Sequence, residues 1–387
     1  MARINRRQYV RGAGIAITGA LAGCSGDGGS GGNESGGDGG TTIGDSSSGA
    51  DYKTTIRAAT VIDAVNSDYV TTSIESLKEN IESETNGEIS VEIYPAGQIG
   101  SQETGIMQRV QQGTIEFGDT SVQNFAPVAP SFDIKNLPYF AGKNQKFVNL
   151  VTSDAWQEIV EPQANDRGFE VFSYGFNESR CWAPGNQFRG EQPPLTPEEL
   201  QNANITQRTG GSPFTNTAFE MLGANPTPIG WGEAPTAIQE GTANAMYNAP
   251  QYHANSGFAD LLSHEVVINA VHDGRVWAMS YKWFNSLPDK LQQQVKSAGV
   301  KTTNGNAKRN SDLRKSAVNH LQDSGIEFHV IDGDRLEKWK DAIAYDRNDE
   351  WNDLMSDVIP SEEARTQLEE ATQRQSDIQI NNLQDVL

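Results

Sequence analysis

Ile89-Ser90-Val91-Glu92-Ile93-Tyr94-Pro95 alternates apolar and polar side chains and stops at a proline. Period-two alternation places Ile89, Val91 and Ile93 on one face, so the run reads as a strand with one buried side, ended where Pro95 removes a backbone donor. Just upstream, Ile74, Leu77 and Ile81 recur at helical spacing, and Asn86-Gly87 supplies the left-handed stop that closes such a helix. Further upstream, Lys53 to Val61 is rich in Thr, Ile, Ala and Val without clean alternation, which suits a buried first strand. Downstream, a second helix is expected over about 101–112, closed by Gly113, and Ile115-Glu116-Phe117 reads as a third short strand. Strand, helix, strand, helix, strand predicts an α/β domain with a mainly parallel sheet.

The rest of the chain repeats this grammar. Phe169 to Tyr174 is a further strand, after which the composition shifts. Thr196-Pro197-Glu198-Glu199 has the form of a capping box, with Thr196 at the N-cap, proline at the first helical position and Glu199 three residues on. Short strands are expected at Ile205–Thr209 and Asn244–Asn248, beside helices near 213–222 and 234–239, which makes a second α/β unit. From Pro288 onward the chain is mostly helical, with Leu336, Trp339 and Ile343 and the 346–354 stretch at amphipathic spacing.

Length and composition agree with two lobes: 387 residues exceed one small domain. The net charge of -21 argues against nucleic acid or an anionic membrane surface as a partner. Arginines outnumber lysines 17 to 13, and an acidic, lysine-poor surface suits high salt, where charge is screened. Cys24 and Cys181 exclude a disulfide framework and a multi-cysteine zinc site. The histidines at 253, 264, 272, 320 and 329 form no HExxH pair, so neither a metal nor a cofactor is expected.

The first fifty residues read as an address and a tether. Arg6-Arg7-Gln8-Tyr9-Val10 precedes an apolar stretch from Gly12 to Leu21 that is shorter than the roughly 20 residues a membrane span needs. The arginine pair looks like a twin-arginine export signal, with an ordinary secretory signal as the alternative. Leu21-Ala22-Gly23-Cys24 resembles a lipobox, whose cysteine carries lipid and becomes the first residue; a small-residue cleavage site is the other reading. Removing residues 1–23 takes away four arginines and no acids, leaving a charge of -25. Ser25 to Ala50 is Gly, Ser, Asp and Thr with hardly an apolar side chain, too little to offset ordering entropy, so a disordered linker is expected.

Four segments in order resemble the extracytoplasmic solute receptors of tripartite ATP-independent periplasmic (TRAP) transporters. They are Thr85 to Gly100, containing Tyr94-Pro95-Ala96-Gly97-Gln98; Gln112 to Asp119, with Leu137-Pro138-Tyr139-Phe140 after it; Gly223 to Pro228, running on through Glu233 to Gly241; and Trp283-Phe284-Asn285-Ser286-Leu287-Pro288. The resemblance implies a two-lobed periplasmic-binding-protein fold with a ligand cleft between the lobes and a helical C-terminal region. It implies an export signal over 1–23 and a lipid-anchored linker over 24–51. The first lobe would be 52–177, joined by roughly 274–313; the second 178–273, joined by roughly 314–350; and 351–387 would be the C-terminal helices. The function implied is capture of a small organic carboxylate, without catalysis, and its delivery to the transporter's membrane subunits by a monomeric receptor held outside the membrane by lipid on Cys24.

The resemblance also assigns roles. The family's carboxylate-binding arginine falls on Arg208 in Ile205-Thr206-Gln207-Arg208, and a guanidinium is suited to it because two parallel N–H donors match a carboxylate. A second arginine falls on Arg180, either in the cleft or in a hinge ion pair, and an asparagine before a proline falls near Asn248 in Asn248-Ala249-Pro250. Trp182, Phe214, Trp231 and Tyr247 are candidate cleft aromatics; Glu233 is either a ligand contact or a helix cap; His272 reads as structural. Two rivals remain: a receptor for an ATP-driven importer, with the same two-lobed shape, and a secreted hydrolase, for which no GxSxG elbow or metal cluster is visible.

Overall fold

The computed structural model describes residues 53–62, 68–255 and 257–387; the expected export signal, Cys24 and the linker lie outside the described residues. Eleven strands among these residues form two sheets. They are β1 (Thr54–Ala59), β2 (Ile89–Tyr94), β3 (Phe117–Ser121), β4 (Phe169–Ser179), β5 (Cys181–Pro184), β6 (Thr206–Thr209), β7 (Asn225–Pro228), β8 (Ala245–Asn248), β9 (His264–Val267), β10 (His272–Ser280) and β11 (Glu327–Val330). The first sheet runs β2-β1-β3-β10-β4 and the second β11-β9-β5-β8-β6-β7. Each is the centre of one lobe.

The elements form where the side-chain pattern puts them. Ile89 and Val91 are buried in β2, while Ser90 and Glu92 face water. Ile74, Leu77 and Ile81 of the helix Asp68–Glu84 bury against Ile56 and Ala58 of β1, and the helix ends where Asn86 and Gly87 take positive φ. Ile106, Met107 and Val110 of the helix Glu103–Gln111 lie so close over Gly118 that a Cβ there would meet them at about 3 Å. The capping box forms as read: Thr196 Oγ1 accepts from the Glu199 amide, and Glu199 Oε2 accepts from the Thr196 amide.

Three expectations need correction. The first sheet is not mainly parallel: β1 is parallel to β2 and β3, but β10 runs antiparallel to both β3 and β4, whereas in the second sheet β9-β11, β6-β7 and β6-β8 are parallel and only β5 is antiparallel to its neighbours β8 and β9. The reason is that β10 re-enters the first sheet from the second lobe, opposite to β4, which leaves it. The third strand starts at Phe117 rather than Ile115 and runs to Ser121. The 346–354 stretch is helical only from Trp351: the preceding helix Gly333–Ile343 ends where the Tyr345 amide donates to the Pro138 carbonyl, and the Trp351 indole donates to the Ile343 carbonyl.

Two strand pairs carry the chain between the lobes. β4 passes through Arg180 into β5, and β9 passes through 268–271 into β10. The crossings are tied together where the Arg180 amide donates to the Val271 carbonyl at 2.8 Å. The helix Asp289–Asp323 is continuous across residues 313 and 314, where the expected boundary between lobes falls, and it packs on β4 as well as on β11. The C-terminal helix Glu362–Gln373 lies against the helices Asn144–Val151 and Asp154–Ile159.

Candidate functional site

Parallel strands point their carboxyl ends the same way, and a crevice outside those ends is where open α/β sheets place ligands. Here β1, β3, β6 and β8 end at a common polar cavity, β4 ends beside it at Ser179, and only β10, running the other way, starts there. Glu103, Gln123, Asn124, Arg275 and Asp273 line it from the first sheet's side, and Arg208, Trp231, Asn248 and Tyr252 from the second, with Arg180 at the crossing. Its volume is about 20 Å³, room for a single water molecule. The lobes touch around it: the Arg180 guanidinium donates to Gln123 Oε1, and the Gly211 amide donates to Asn124 Oδ1 at 3.3 Å.

The charges of the cavity sort into three groups. Arg275 is saturated: its Nε and Nη2 clamp the two oxygens of Asp119 at 2.7 Å each, and Nη2 also reaches Glu103 Oε1 at 2.8 Å. Glu103 Oε2 in turn accepts from the Ser121 amide and hydroxyl, the Thr120 hydroxyl and the Asn124 amide group. Burial pushes the Glu103 carboxyl up, but Arg275 and these donors outweigh it and hold the group below the usual carboxylate range.

Arg180 is paired once. It is 1% exposed, its Nη2 meets Asp273 Oδ1 at 3.0 Å, and its Nε has no hydrogen-bond partner among the described residues. Asp273 Oδ2 accepts from the Ala249 amide and from Asn248 Nδ2 at 3.3 Å, which leaves Asn248 Oδ1 without a partner among the described residues. Burial again pushes Asp273 up, and Arg180 and Lys135 overcome it, so this carboxylate too is held below its ordinary range.

Arg208 stands apart. It is 5% exposed at the end of β6, its Nε donates to the Ile229 carbonyl at 2.9 Å, and its guanidinium lies 5.7 Å from the ring centre of Trp231. Among the described residues it has no carboxylate within ion-pair distance. Burial, and after it the nearby Arg180, push its guanidinium down to about 10, still charged at neutral pH. A desolvated cation with one neutral partner keeps donors that an anion would match.

Of the residues singled out from sequence, Arg208, Arg180, Asn248 and Trp231 converge on the cavity. Trp182, Phe214 and Glu233 do not line it. Trp182 lies in β5, between β8 and β9, where it is fully buried and its indole donates to Gln207 Oε1. Phe214 stacks on Trp351 in the core. Glu233 is exposed on the short turn Trp231–Glu233 and makes no cap to the helix Ala234–Gln239. Tyr247 is buried beneath Arg180, 5.9 Å from ring centre to guanidinium. His272 is buried and stacked on Phe147 at 4.1 Å, and burial holds it well below the ordinary histidine range.

Sequence reading missed Glu103, Asp119, Asp273 and Arg275. A signal existed in the last two. Asp273 and Arg275 lie at the start of a buried strand that continues through Val276, Trp277, Ala278 and Met279, and charges in a buried strand must be paired. Gly274 between them is also required, since a Cβ there would lie 2.2 Å from the Phe147 ring. The sequence holds no HExxH pair, yet His264 and His329 adjoin across β9 and β11.

A larger cavity of about 690 Å³ lies elsewhere, lined by parts of β4, the helix Asp289–Asp323 and residues 374–378. Its Glu170 and Lys296 pair with each other, and its Arg374 donates from Nε to the Asn149 carbonyl and from Nη2 to the carbonyl and hydroxyl of Thr152.

Known proteins share this architecture. Residues 62–350 match the model of the bacterial extracellular solute-binding proteins, family 7. The 2,3-diketo-L-gulonate-binding periplasmic protein YiaO of Escherichia coli is 21% identical, over 68% of this chain and 77% of its own length. The C4-dicarboxylate-binding periplasmic protein DctP of Rhodobacter capsulatus is 22% identical, over 69% of this chain and 78% of its own. The crystal structure of a TRAP periplasmic solute binding protein from Sulfitobacter sp. NAS-14.1, with bound β-D-galacturonate, superposes with a TM-score of 0.71 at 18% identity, covering 82% of this chain and 99% of that one. No helix among the described residues is long and apolar enough to cross a membrane. With a matched segment that takes in ten of the eleven strands and every residue of the cavity, the chain belongs to the bacterial extracellular solute-binding proteins, family 7.

Proposed function

We propose that this protein captures a small organic carboxylate in the cleft between its lobes and delivers it, chemically unchanged, to the membrane subunits of a TRAP-type secondary transporter. The observation that carries this reading is Arg208, a buried guanidinium whose one hydrogen bond among the described residues goes to a main-chain carbonyl. Its free N–H groups match the two oxygens of a carboxylate, and Trp231 beside it offers an apolar wall. Arg180 adds a second positive charge through its unpartnered Nε, and Asn248 Oδ1 accepts a ligand hydroxyl. The relatives support the class of ligand, since the diketogulonate, C4-dicarboxylate and galacturonate in their names are all carboxylates.

A sugar acid is far larger than the present cavity, so the lobes part to admit it and close again by bending at the crossings near Arg180 and Val271. The lobes so defined are 52–177 with 274–313, and 178–273 with 314–350. Lipid on Cys24 and the linker after it hold this monomeric receptor at the outer face of the membrane.

Calorimetry with galacturonate, a C4-dicarboxylate and neutral galactose tests the reading. A carboxylate is expected to bind and to raise the thermal midpoint, because a ligand of the folded state alone stabilises it. Equal binding of the neutral sugar would overturn it. For the anchor, Cys24→Ser is expected to release exported protein into the medium, and Arg6→Lys with Arg7→Lys to block export by the twin-arginine route.

A further inference from the structure

The pair of histidines at the far edge of the second sheet has the form of a metal site. β11 is an edge strand whose neighbour is β9, and the two run parallel with Glu327 opposite His264. Glu327 and His329 are two residues apart on β11, so they share a sheet face, and the register puts His264 on the same face. One ligand atom from each of His264, Glu327 and His329 lies within 4.8 Å of the others. His264 Nδ1 and His329 Nε2 are 3.1 Å apart. Two nitrogens bound at about 2.0–2.1 Å to one tetrahedral zinc ion stand about 3.3 Å apart, so the imidazoles are already close to that spacing.

The protonation of His264 is fixed by its surroundings. Its Nε2 lies 3.0 Å from the Phe188 carbonyl, which can only accept, so the proton sits on Nε2 and the lone pair of Nδ1 faces His329 and Glu327. An imidazole that donates its outer N–H to a backbone carbonyl is the arrangement that orients metal-binding histidines. The adjacent acid does not compete. Glu265 points to the opposite face of β9, where it pairs with His253 at 2.6 Å in the buried interior. His264 is buried, whereas His329 is half-buried and Glu327 exposed, so the ion would be reached from solvent and keep an open position for water.

We propose that His264, Glu327 and His329 bind a divalent transition-metal ion, of the Zn²⁺ class, which clasps the edge strand β11 to β9. Two imidazoles and one carboxylate favour zinc over calcium or magnesium, which take oxygen ligands. This site is separate from the carboxylate cleft and does not depend on the function proposed for it. The competing arrangement is a plain hydrogen bond from His329 Nε2 to His264 Nδ1.

The test uses the full chain carrying Cys24→Ser, so that this thiol cannot compete for the metal, stripped with chelator and titrated with ZnCl₂ by calorimetry. One Zn²⁺ per chain is expected, with affinity at least tenfold weaker in Glu327→Gln and in His329→Gln. Zn²⁺ should raise the thermal midpoint of the parent and leave that of His329→Gln unmoved, while Mg²⁺ at the same concentration does neither. Undiminished Zn²⁺ binding in both variants would assign it to the acidic surface and overturn the proposal. Absence of binding in the parent would leave the hydrogen-bonded pair as the explanation and equally overturn it. Should His329→Gln fold poorly, the exposed Glu327→Gln decides by itself.

Discussion

Arg275 and Arg208 face the same cavity from opposite lobes and are buried almost equally, yet they are held in opposite ways. Arg275 is locked by Asp119 and Glu103, with further hydrogen bonds behind them. Arg208 rests on one carbonyl and one aromatic ring. A buried cation clamped by two carboxylates has spent its donors and shapes the wall. A buried cation with free donors keeps a desolvation penalty that an anionic ligand relieves. Arg180, with one carboxylate partner and one unpartnered nitrogen, stands between the two. The difference is one of satisfaction: within a single cavity, buried cations of the same chemistry range from fully paired to unpaired by any carboxylate.

The largest expected effect would break the comparison on the Arg275 side. Arg275→Ala leaves Asp119 and Glu103 buried without their partner and is expected to cost about 3–5 kcal/mol of folding stability, read from denaturant unfolding. A loss below about 1 kcal/mol would mean that the knot is not what holds this wall.

Arg208→Ala is expected to act on binding instead. Affinity for the carboxylate should fall about 100-fold or more, corresponding to about 3 kcal/mol, with stability nearly unchanged. Arg208→Lys should recover only part, since an ammonium lacks the planar two-donor fork. Arg180→Ala should show both effects in smaller measure, because it strands Asp273 as well. Affinity of Arg208→Ala within threefold of the parent would place the carboxylate elsewhere.

An acid without a cation sharpens the contrast. Glu161 accepts from the Tyr174 hydroxyl at 2.6 Å, and burial raises its carboxyl from 4.5 to about 7. Its protonated form is favoured by the fold, so its contribution is complete below about pH 4.5 and is lost as pH rises through 7. Stability should therefore decline between pH 5 and 8 by about 2 kcal/mol, and Glu161→Gln should flatten that decline. Asp273 and Glu103, held low by arginines, contribute in the opposite sense: their stabilisation is present above the ordinary carboxylate range and lost on acidification below it.

The smallest expected effect concerns the surface. Residues 52–387 carry 26 basic and 46 acidic side chains, so self-repulsion should lower the thermal midpoint below about 0.1 M salt relative to molar salt, where the Debye length is about 3 Å. The buried pairs at Arg275 and Arg180 are screened far less, and their variants should show the same deficit at both salt levels. A midpoint independent of salt would separate the acidic surface from any adaptation to salt.

Local rules reached a long way into this molecule. Alternation at 89–94, the spacing of Ile74, Leu77 and Ile81, and the box at Thr196 each specify an element through neighbours a few residues away, and each element formed. Family resemblance carried Arg208, Arg180 and Asn248 to the cavity as well. What it could not supply was partnership. Trp182 and Arg180 are two residues apart on one crossing segment, yet one faces the core and the other the cleft. That outcome depends on β5 lying between β8 and β9, a fact of sheet order. Arg275 and Arg208 look alike as letters, and only the fold brings Asp119 and Glu103, more than 150 residues away, onto the first and leaves the second without a carboxylate. The same holds for His264 and His329, which parallel strand pairing joins across 65 residues. Secondary structure follows from short-range sterics and periodicity, and so the sequence by itself determined it. Which buried charge is satisfied and which awaits a ligand is a long-range electrostatic balance, and the tertiary structure alone decided it.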